Sequence, residues 1–360
     1  MICPTEKKVV FFGCPLDCDE KHEAIQEKRA VVRTTDTIDD PLLPFLEALH
    51  TIVPDDQWHL GGSLPVPGWL RPIPPETDKG RIGTAAMVDF IDGGGCREYA
   101  DKVEAFVEAT ILPNLPCLVT VDHSLSGGAY TALAKHYGPK NLSLIVLDSH
   151  TDAVSISRMA GAIAYDMDTN PNSLYDPQDP FIHNRSDSYN ASTFIHHLIE
   201  AGMLAPRDLF IIGVSDLPNK KAFRIKDRRI VDYVSSWTSL KQKGATIIPK
   251  QECQLQSAKL KNLLKKIRTP YAYVSIDMDI GARNALEGVR FKNWQGLAET
   301  QIYRLIDSIA QTGGRDLRLA GMDISEINPR TAGKPFGNTT DRTYPIAAAL
   351  VQRLAFSTGN

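Results

Sequence analysis

Short apolar runs alternate along most of the chain with longer stretches in which apolar residues recur at helical spacing. Short runs that are apolar throughout are typical of strands buried on both faces of a parallel sheet. Such runs lie at residues 9–13, 87–91, 115–121, 142–147, 209–214, 245–248, 271–276 and 317–324. Helical patterns lie at residues 97–111, 128–137, 192–203, 223–243, 257–267, 299–311 and 345–356. The alternation predicts a three-layer α/β/α fold with a mostly parallel sheet of about eight strands.

The chain shows no internal repeat and no low-complexity linker, so we expect one domain over residues 1–360. Residues 31–84 are less regular than the rest. Their Pro-rich stretch at 64–75 (LPVPGWLRPIPP) predicts an extended surface loop.

Side chains typical of metal ligands stand at the ends of three apolar runs. They are His123, Asp148, His150, Asp152, Asp277 and Asp279. Alternate residues of a strand point to one face, so Asp148 and His150 share a face, as do Asp277 and Asp279. Carboxylates that face one way at a strand end repel each other and lose hydration, and a bound cation is the simplest compensation.

The donor types indicate which metal would bind. Four carboxylates and two imidazoles, without a thiolate, favour a hard or borderline ion such as Mn²⁺ over a structural zinc ion. The six side chains are enough for two divalent ions, whose charge four Asp residues would balance. Sites with two metal ions about 3.5–4 Å apart typically activate a water as the nucleophile. The sequence therefore predicts metal-assisted hydrolysis.

These segments resemble the signature motifs of the arginase–agmatinase (ureohydrolase) family. The matching segments are DHS at 122–124, DSHTD at 148–152, SIDMD at 275–279 and EINP at 326–329. Their order and wide spacing fit the family, and the resemblance extends from about residue 85 to the C-terminus. It implies an arginase-like fold and a dinuclear cluster of two Mn²⁺ per chain, held by the six residues named above.

The resemblance also implies an activity and roles for particular residues. The chain is expected to be a hydrolase that cleaves a C–N bond, other than a peptide bond, in a linear amidine. Asp152 would orient the nucleophile and accept its proton, and Glu326 would bind the cationic group of the substrate. The family forms trimers and hexamers, so the resemblance implies a homo-oligomer that acts on a small guanidino, amidino or formimino compound.

Several departures from the family pattern concern the substrate. The segment that supplies a proton-shuttling His in arginase and agmatinase is Asn190-Ala191-Ser192 here, and Asn cannot shuttle a proton. An Asn at this place is similar to the formiminoglutamase branch. Residues 154–189 form an insert, longer than the corresponding stretch in arginase, in which His183 could supply the missing shuttle. We expect Asn190 and His183 to bind substrate, and ordinary L-arginine not to be that substrate.

Two alternatives remain open. The chain could be a non-catalytic relative that keeps the metals and acts as a ligand-binding or assembly protein. The shuttle His is missing, and the SIDMD segment continues as IGAR at 280–283 where the family has a further Asp-Pro. It could instead hydrolyse amides, since deacetylases share a related fold. The two-metal ligand set argues against deacylation, because deacetylases generally keep one metal site.

Composition excludes several other classes of protein. The net charge is −3 and no basic tract is interleaved with aromatic residues, so we expect no nucleic-acid partner. No stretch approaches the length of a membrane span and no leader is evident, which predicts a cytoplasmic protein without a membrane partner. The six cysteines lack C-x₂-C spacing, which favours reduced thiols. Cys14 and Cys18 leave open a soft-metal or redox role.

Overall fold

The computed structural model describes residues 7–34, 37–177, 185–255, 257–281, 286–292, 296–312 and 317–356. Its main sheet has eight strands, which are β1 (Val9–Cys14), β2 (Trp58–Ser63), β3 (Leu115–Thr120), β4 (Leu142–Leu147), β5 (Leu209–Val214), β6 (Thr246–Pro249), β7 (Tyr271–Asp277) and β8 (Arg318–Ser325). Their order is β2-β1-β3-β8-β7-β4-β5-β6, and each neighbouring pair is parallel. The predicted three-layer α/β/α fold is confirmed. A two-stranded hairpin, β9 (Pro335–Phe336) and β10 (Thr339–Thr340), lies apart from this sheet.

Helices cover both faces of the sheet. They are α1 (His22–Ala30), α2 (Leu42–His50), α3 (Thr84–Asp92), α4 (Gly95–Phe106), α5 (Leu125–Tyr137), α6 (Ile156–Thr169), α7 (Phe194–Glu200), α8 (Arg228–Gln242), α9 (Lys250–Leu255), α10 (Ser257–Leu264), α11 (Glu299–Thr312) and α12 (Thr343–Val351). Helices α4 and α12 each continue into a short π-helical stretch, Val107–Ile111 and Gln352–Phe356.

Alternate residues of each strand enter two separate cores. In β1, Phe11 belongs to a core that includes residues of α2, α11 and α12, whereas Phe12 belongs to the core on the other face, which includes residues of α4, α5 and α8. Both side chains are fully buried. Burial on both faces explains why the strands are apolar throughout rather than alternating between apolar and polar residues.

The predicted strand at 87–91 is wrong, because these residues belong to α3. Met87 and Ile91 are the buried residues of that helix, and they stand four apart, which is one turn of a helix rather than the alternation of a strand. The apolar stretch was too short for its length alone to distinguish the two.

The eighth strand is instead β2, which the sequence analysis missed within the irregular segment 31–84. It is an edge strand, its residues are partly or fully exposed, and it contains Gly61 and Gly62, which have low strand propensity. The pairing with β1 shifts register between Phe11 and Phe12, and Gly62 has a φ of 96°. Helix α2 lies in the same segment.

The first part of the insert at 154–189 forms α6, which packs against α8. Arg158 Nη1 donates to Ser236 Oγ at 2.8 Å, and Asp168 lies 2.6 Å from Arg229. At the far end of the insert, Arg185 forms an ion pair with Glu20 at 2.7 Å.

A buried ion network fixes the loop that follows β1. Asp17 is almost fully buried and contacts Arg290, Arg330 (3.0 Å) and Lys28 (3.8 Å). Arg290 also pairs with Asp19 at 2.9 Å. Burial alone would raise the pKa of Asp17, but the three cations outweigh burial and hold that pKa well below its usual value. The loop is thereby tied to two segments that follow β7 and β8.

We expect Asp17→Asn to destabilise the protein by about 3–5 kcal/mol at pH 7, because it leaves buried cations without their counter-ion. An Asp with a lowered folded pKa stabilises above its unfolded pKa of 3.8 and loses that contribution as the pH falls below it. The difference in unfolding free energy between wild type and variant should therefore shrink at pH 3. Urea denaturation at both pH values measures it.

The control is Asp101→Asn, which removes an exposed pair with Arg97 on α4. A surface pair of this kind contributes less than about 1 kcal/mol. Equal losses in the two variants would contradict the role assigned to Asp17.

Candidate active site

The four central strands of the sheet bring the polar segments together. Strands β3, β8, β7 and β4 are neighbours in that order, and all four are parallel. Their C-terminal ends carry, respectively, His123, Glu326, the Asp277–Asp279 pair and the segment from Asp148 to Asp152. Residues distant in sequence therefore converge at one edge of the sheet, where ligands bind in open α/β folds.

The imidazole of His123 lies at the centre of the cluster. Its Nδ1 is 3.0 Å from Asp152 Oδ2, 3.2 Å from Asp277 Oδ2 and 3.4 Å from Asp148 Oδ2. All four residues are buried. Three carboxylate oxygens around one ring nitrogen form a compact pocket of donors for a cation.

A second group of donors adjoins the first and shares Asp148 with it. His150 Nδ1 is 2.8 Å from Asp279 Oδ2 and 3.5 Å from Asp148 Oδ1. Asp279 is fully buried, whereas the His150 ring is about half exposed and stands edge-on to Phe291. The structure thus brings together all six residues that the sequence proposed as metal ligands, five of them in two groups that share Asp148 and the sixth, Asp277, beside His123.

The charges in the cluster shift the pKa values of its members. Burial raises the pKa of Asp277 well above its usual value, and the nearby Asp279 and Asp148 raise it further. Burial and the charge of Asp148 raise the pKa of Asp152 to about 8. Burial would lower the pKa of His123, but its carboxylate neighbours outweigh burial and raise it. Additional positive charge would therefore stabilise the ionised carboxylates of the cluster.

Several atoms of the cluster lie close to one another but make no well-aligned hydrogen bond within the described residues. They are His123 Nδ1, Asp148 Oδ2, Asp279 Oδ2 and Glu326 Oε2, and all are buried. A buried polar atom without a partner is costly, so such atoms in a native structure call for a bound ligand or ion. Oxygen and imidazole donors without sulfur fit a divalent ion such as Mn²⁺.

The second nitrogen of His123 is held by a relay of polar groups beneath the cluster. Ser275 Oγ donates to Asp323 Oδ1 at 2.9 Å and lies 2.8 Å from His123 Nε2. Because the Ser275 proton is used toward Asp323, Ser275 Oγ accepts from the Nε2–H of His123. Nδ1, on the side of the three carboxylates, is then the nitrogen that can give up its proton to a metal ion, which leaves the tautomer that a metal ligand needs.

Asp152 and Glu326 share an unusual backbone conformation. They are the two non-glycine residues with positive φ in the described part of the chain, at 48° and 61°. Residues other than glycine rarely adopt a positive φ, because the backbone is strained there. Such strain persists where the surrounding structure imposes it, often at functional sites. The carbonyl of Asp152 accepts from the N–H groups of Ile195 (3.0 Å) and His196 (3.3 Å), and that of Glu326 accepts from the N–H of Arg290 at 3.0 Å.

The side chain of Glu326 is buried beside the cluster, and only 3% of the residue's surface is exposed. Burial raises the pKa of this carboxyl well above its usual value, the charge of Asp277 raises it further, and the Arg290 cation opposes both. Arg290 is already engaged by Asp17 and Asp19. A carboxylate in this position would gain from a cationic partner.

Of the three residues predicted to bind substrate, Glu326 and Asn190 lie in the described structure. The amide oxygen of Asn190 accepts from Thr193 Oγ1 at 3.1 Å, in the turn that leads into α7. That turn adjoins the cluster, because the Phe194 ring lies 4.7 Å from the ring of His123. His183 lies outside the described residues.

Two supporting residues at the same edge of the sheet were not predicted from the sequence. Lys250, directly after β6, is buried and donates to Ser149 Oγ at 2.7 Å. Asp216, two residues after β5, accepts from Thr151 Oγ1 at 3.0 Å, and burial raises the pKa of its carboxyl to about 6. Both are charged residues close behind a predicted strand, which is the signal that could have revealed them.

The chain belongs to the arginase family, whose sequence model matches residues 7–357. No curated protein sequence matched the chain. Among the described residues, no helix combines the length and the apolar character that crossing a membrane requires.

Solved structures share the fold at low sequence identity. The arginase from Bacillus cereus superposes with a TM-score of 0.58 and 16% identity, over 98% of this chain and 100% of that one. Formimidoylglutamase from Bacillus subtilis gives 0.57 and 13%, over 97% and 86%. Proclavaminate amidino hydrolase from Streptomyces clavuligerus gives 0.55 and 15%, over 98% and 92%. The arginase-like fold is therefore shown.

We expect Ser275→Ala to lower the free energy of unfolding by about 1–3 kcal/mol, because it leaves the buried Nε2–H of His123 without an acceptor and removes a donor from Asp323. Urea denaturation of metal-free protein measures the loss.

The matched control is Ser143→Ala on β4. Ser143 is equally buried, but its partner Thr269 keeps a second hydrogen bond, to the carbonyl of Tyr271 at 2.9 Å. A loss no larger than that of the control would contradict the relay.

Proposed function

We propose that the protein is a binuclear manganese hydrolase that cleaves a C–N bond of a small linear amidine. The observation that carries the proposal is the convergence of six donor side chains at the ends of neighbouring parallel strands, with buried atoms that make no well-aligned hydrogen bond. Membership of the arginase family supports the same reaction class.

Two adjoining groups would hold the ions. The first comprises His123, Asp152 and Asp277, the second comprises His150 and Asp279, and Asp148 lies between them. Four carboxylates balance the charge of two divalent ions, which removes the repulsion that raises the pKa values of Asp152 and Asp277.

Two divalent ions supply an activated water and stabilise negative charge that develops on the substrate. The residues of the chain do the rest. Asp152, held by its strained backbone and by the N–H groups of α7, orients the water and accepts its proton. Glu326 holds the cationic amidine by charge-assisted hydrogen bonds and places its central carbon over the cluster.

The surroundings of the cluster favour a substrate other than L-arginine. Asn190 stands where arginase and agmatinase carry a proton-shuttling His, and its amide oxygen is engaged within its own turn. One of the structures that share the fold is a formimidoylglutamase. We infer a guanidino, amidino or formimino compound whose leaving amine needs no His shuttle.

A second candidate function is a non-catalytic relative that keeps its metals and binds a ligand. The Asn at position 190 favours this second function. Asn190 stands where a proton-shuttling His is expected, and its side-chain oxygen accepts a hydrogen bond within its own turn. A screen of guanidino, amidino and formimino compounds on Mn²⁺-loaded protein separates the two functions. Release of urea, ammonia or an amine from one compound supports the hydrolase, and bound metal without any release supports the binding protein.

We expect wild-type protein to bind about two Mn²⁺ per chain, and Asp277→Ala to lose at least one of them together with turnover. Asp277 Oδ2 lies 3.2 Å from His123 Nδ1, so its removal takes one carboxylate from the first group of donors. Metal analysis after dialysis measures the content.

The control for that experiment is Asp208→Asn, which alters a buried carboxyl just before β5, at the opposite edge of the sheet. This variant should keep its metals. Full metal content in Asp277→Ala would refute the assignment.

We expect Glu326→Gln to keep its metals but to lose turnover by about 10²-fold or more, because the amide cannot form a charge-assisted pair with the amidinium. The loss should appear for every cationic substrate that the wild type accepts. Steady-state kinetics with parallel metal analysis tests this, and unchanged kcat/KM would contradict the role of Glu326.

A further inference from the structure

Two buried thiols meet beside the candidate active site. Cys18 lies in the loop after β1, and Cys96 is the second residue of α4. Their sulfur atoms are 3.2 Å apart, and both residues are buried. The sequence drew attention to Cys18 and Cys14 as a pair, whereas the structure brings Cys18 against Cys96.

We propose that Cys18 and Cys96 form an oxidisable pair that closes to an intramolecular disulfide. An S–S bond is about 2.05 Å long, so the two sulfur atoms need to approach by about 1.2 Å. Cys18 lies in a loop and Cys96 on a helix, so a small movement of the loop brings them together.

The oxidant is a small peroxide. Cys18, at 4% exposure, is slightly more accessible than the fully buried Cys96 and reacts first. Its sulfur attacks hydrogen peroxide, the O–O bond breaks, and a sulfenic acid and one water form. The Cys96 sulfur then attacks the sulfenic sulfur. The S–S bond forms, the S–O bond breaks, and the hydroxyl leaves as water with the Cys96 proton.

The surroundings slow the first step and favour the second. The contact with Cys96 and burial raise the pKa of the Cys18 thiol, so the reactive thiolate is scarce. Once a sulfenic acid exists, a second sulfur in direct contact captures it before further oxidation. The pair therefore responds to sustained peroxide and is protected from irreversible damage.

A thiolate metal site is the competing chemistry. Cys18, Cys96 and Asp122 offer three donor atoms within 4.8 Å of one another. Sulfur ligands of a tetrahedral zinc ion, each at about 2.3 Å, lie about 3.7 Å apart, farther than the observed 3.2 Å. Cys18 Sγ also donates to Asp122 Oδ2 at 2.9 Å, which is a contact of a thiol. The geometry therefore favours the disulfide.

The disulfide would act one residue away from a candidate metal ligand. Asp122 precedes His123, and Asp122 Oδ1 accepts from the backbone N–H of Ser124 at 3.0 Å. Oxidation removes the Cys18 donor from Asp122 and ties the loop after β1 to α4. The chemistry of the pair does not depend on the proposed function.

The test is peptide mapping of full-length, freshly reduced protein exposed to hydrogen peroxide, then unfolded and alkylated without reductant. We expect a Cys18–Cys96 linked peptide, loss of the two alkylated thiols and full reversal by dithiothreitol. In Cys96→Ser, a sulfenic-acid probe should label Cys18. In the control Cys117→Ser, which alters a buried cysteine of β3, the link should form as in the wild type.

Three results would overturn the proposal. One is that Cys18 and Cys96 remain alkylatable under peroxide that oxidises the half-buried Cys253. Another is that Cys18 links to Cys14. The third is that purified protein holds zinc that protects both thiols and that Cys96→Ser releases. Peptide mapping of the wild type tests the disulfide even if a variant does not fold.

Discussion

The crowding of carboxylates around a single imidazole nitrogen is the constraint on which the rest of the site depends. Asp148, Asp152 and Asp277 each place an oxygen within 3.4 Å of His123 Nδ1, and all four residues are buried. Like charges at this distance raise one another's pKa values and oppose folding unless positive charge is supplied. The two metal ions that we propose would supply that positive charge.

The fold meets this constraint with neighbouring parallel strands and a buried supporting layer. Strands β3, β8, β7 and β4 end at one edge of the sheet, so the residues directly after each strand reach the cluster without a long loop. Ser275 and Asp323 lie in register on β7 and β8 and set the tautomer of His123 from below. On the other side, Lys250 brings a buried cation to Ser149, between Asp148 and His150.

Much of this was predictable from the sequence, because strands buried on both faces leave a continuous apolar pattern. The six donor residues followed such patterns, and the structure brings them together. The edge strand β2 escaped notice because partial exposure and two glycines erase that pattern. Residues 87–91 were predicted as a strand because the buried face of a short helix can give an apolar stretch as short as a strand. Met87 and Ile91 form that buried face in α3. The Cys18–Cys96 contact joins residues 78 positions apart and the Asp17–Arg330 contact joins residues 313 positions apart, which no local pattern reveals.

The most direct test of the central claim is a crystal structure of Mn²⁺-loaded protein with an anomalous difference map at the manganese edge. The account predicts two peaks about 3.5–4 Å apart. One should be bound by His123 Nδ1 and the other by His150 Nδ1, with Asp148 between them. A single peak, or peaks away from these side chains, would contradict the account.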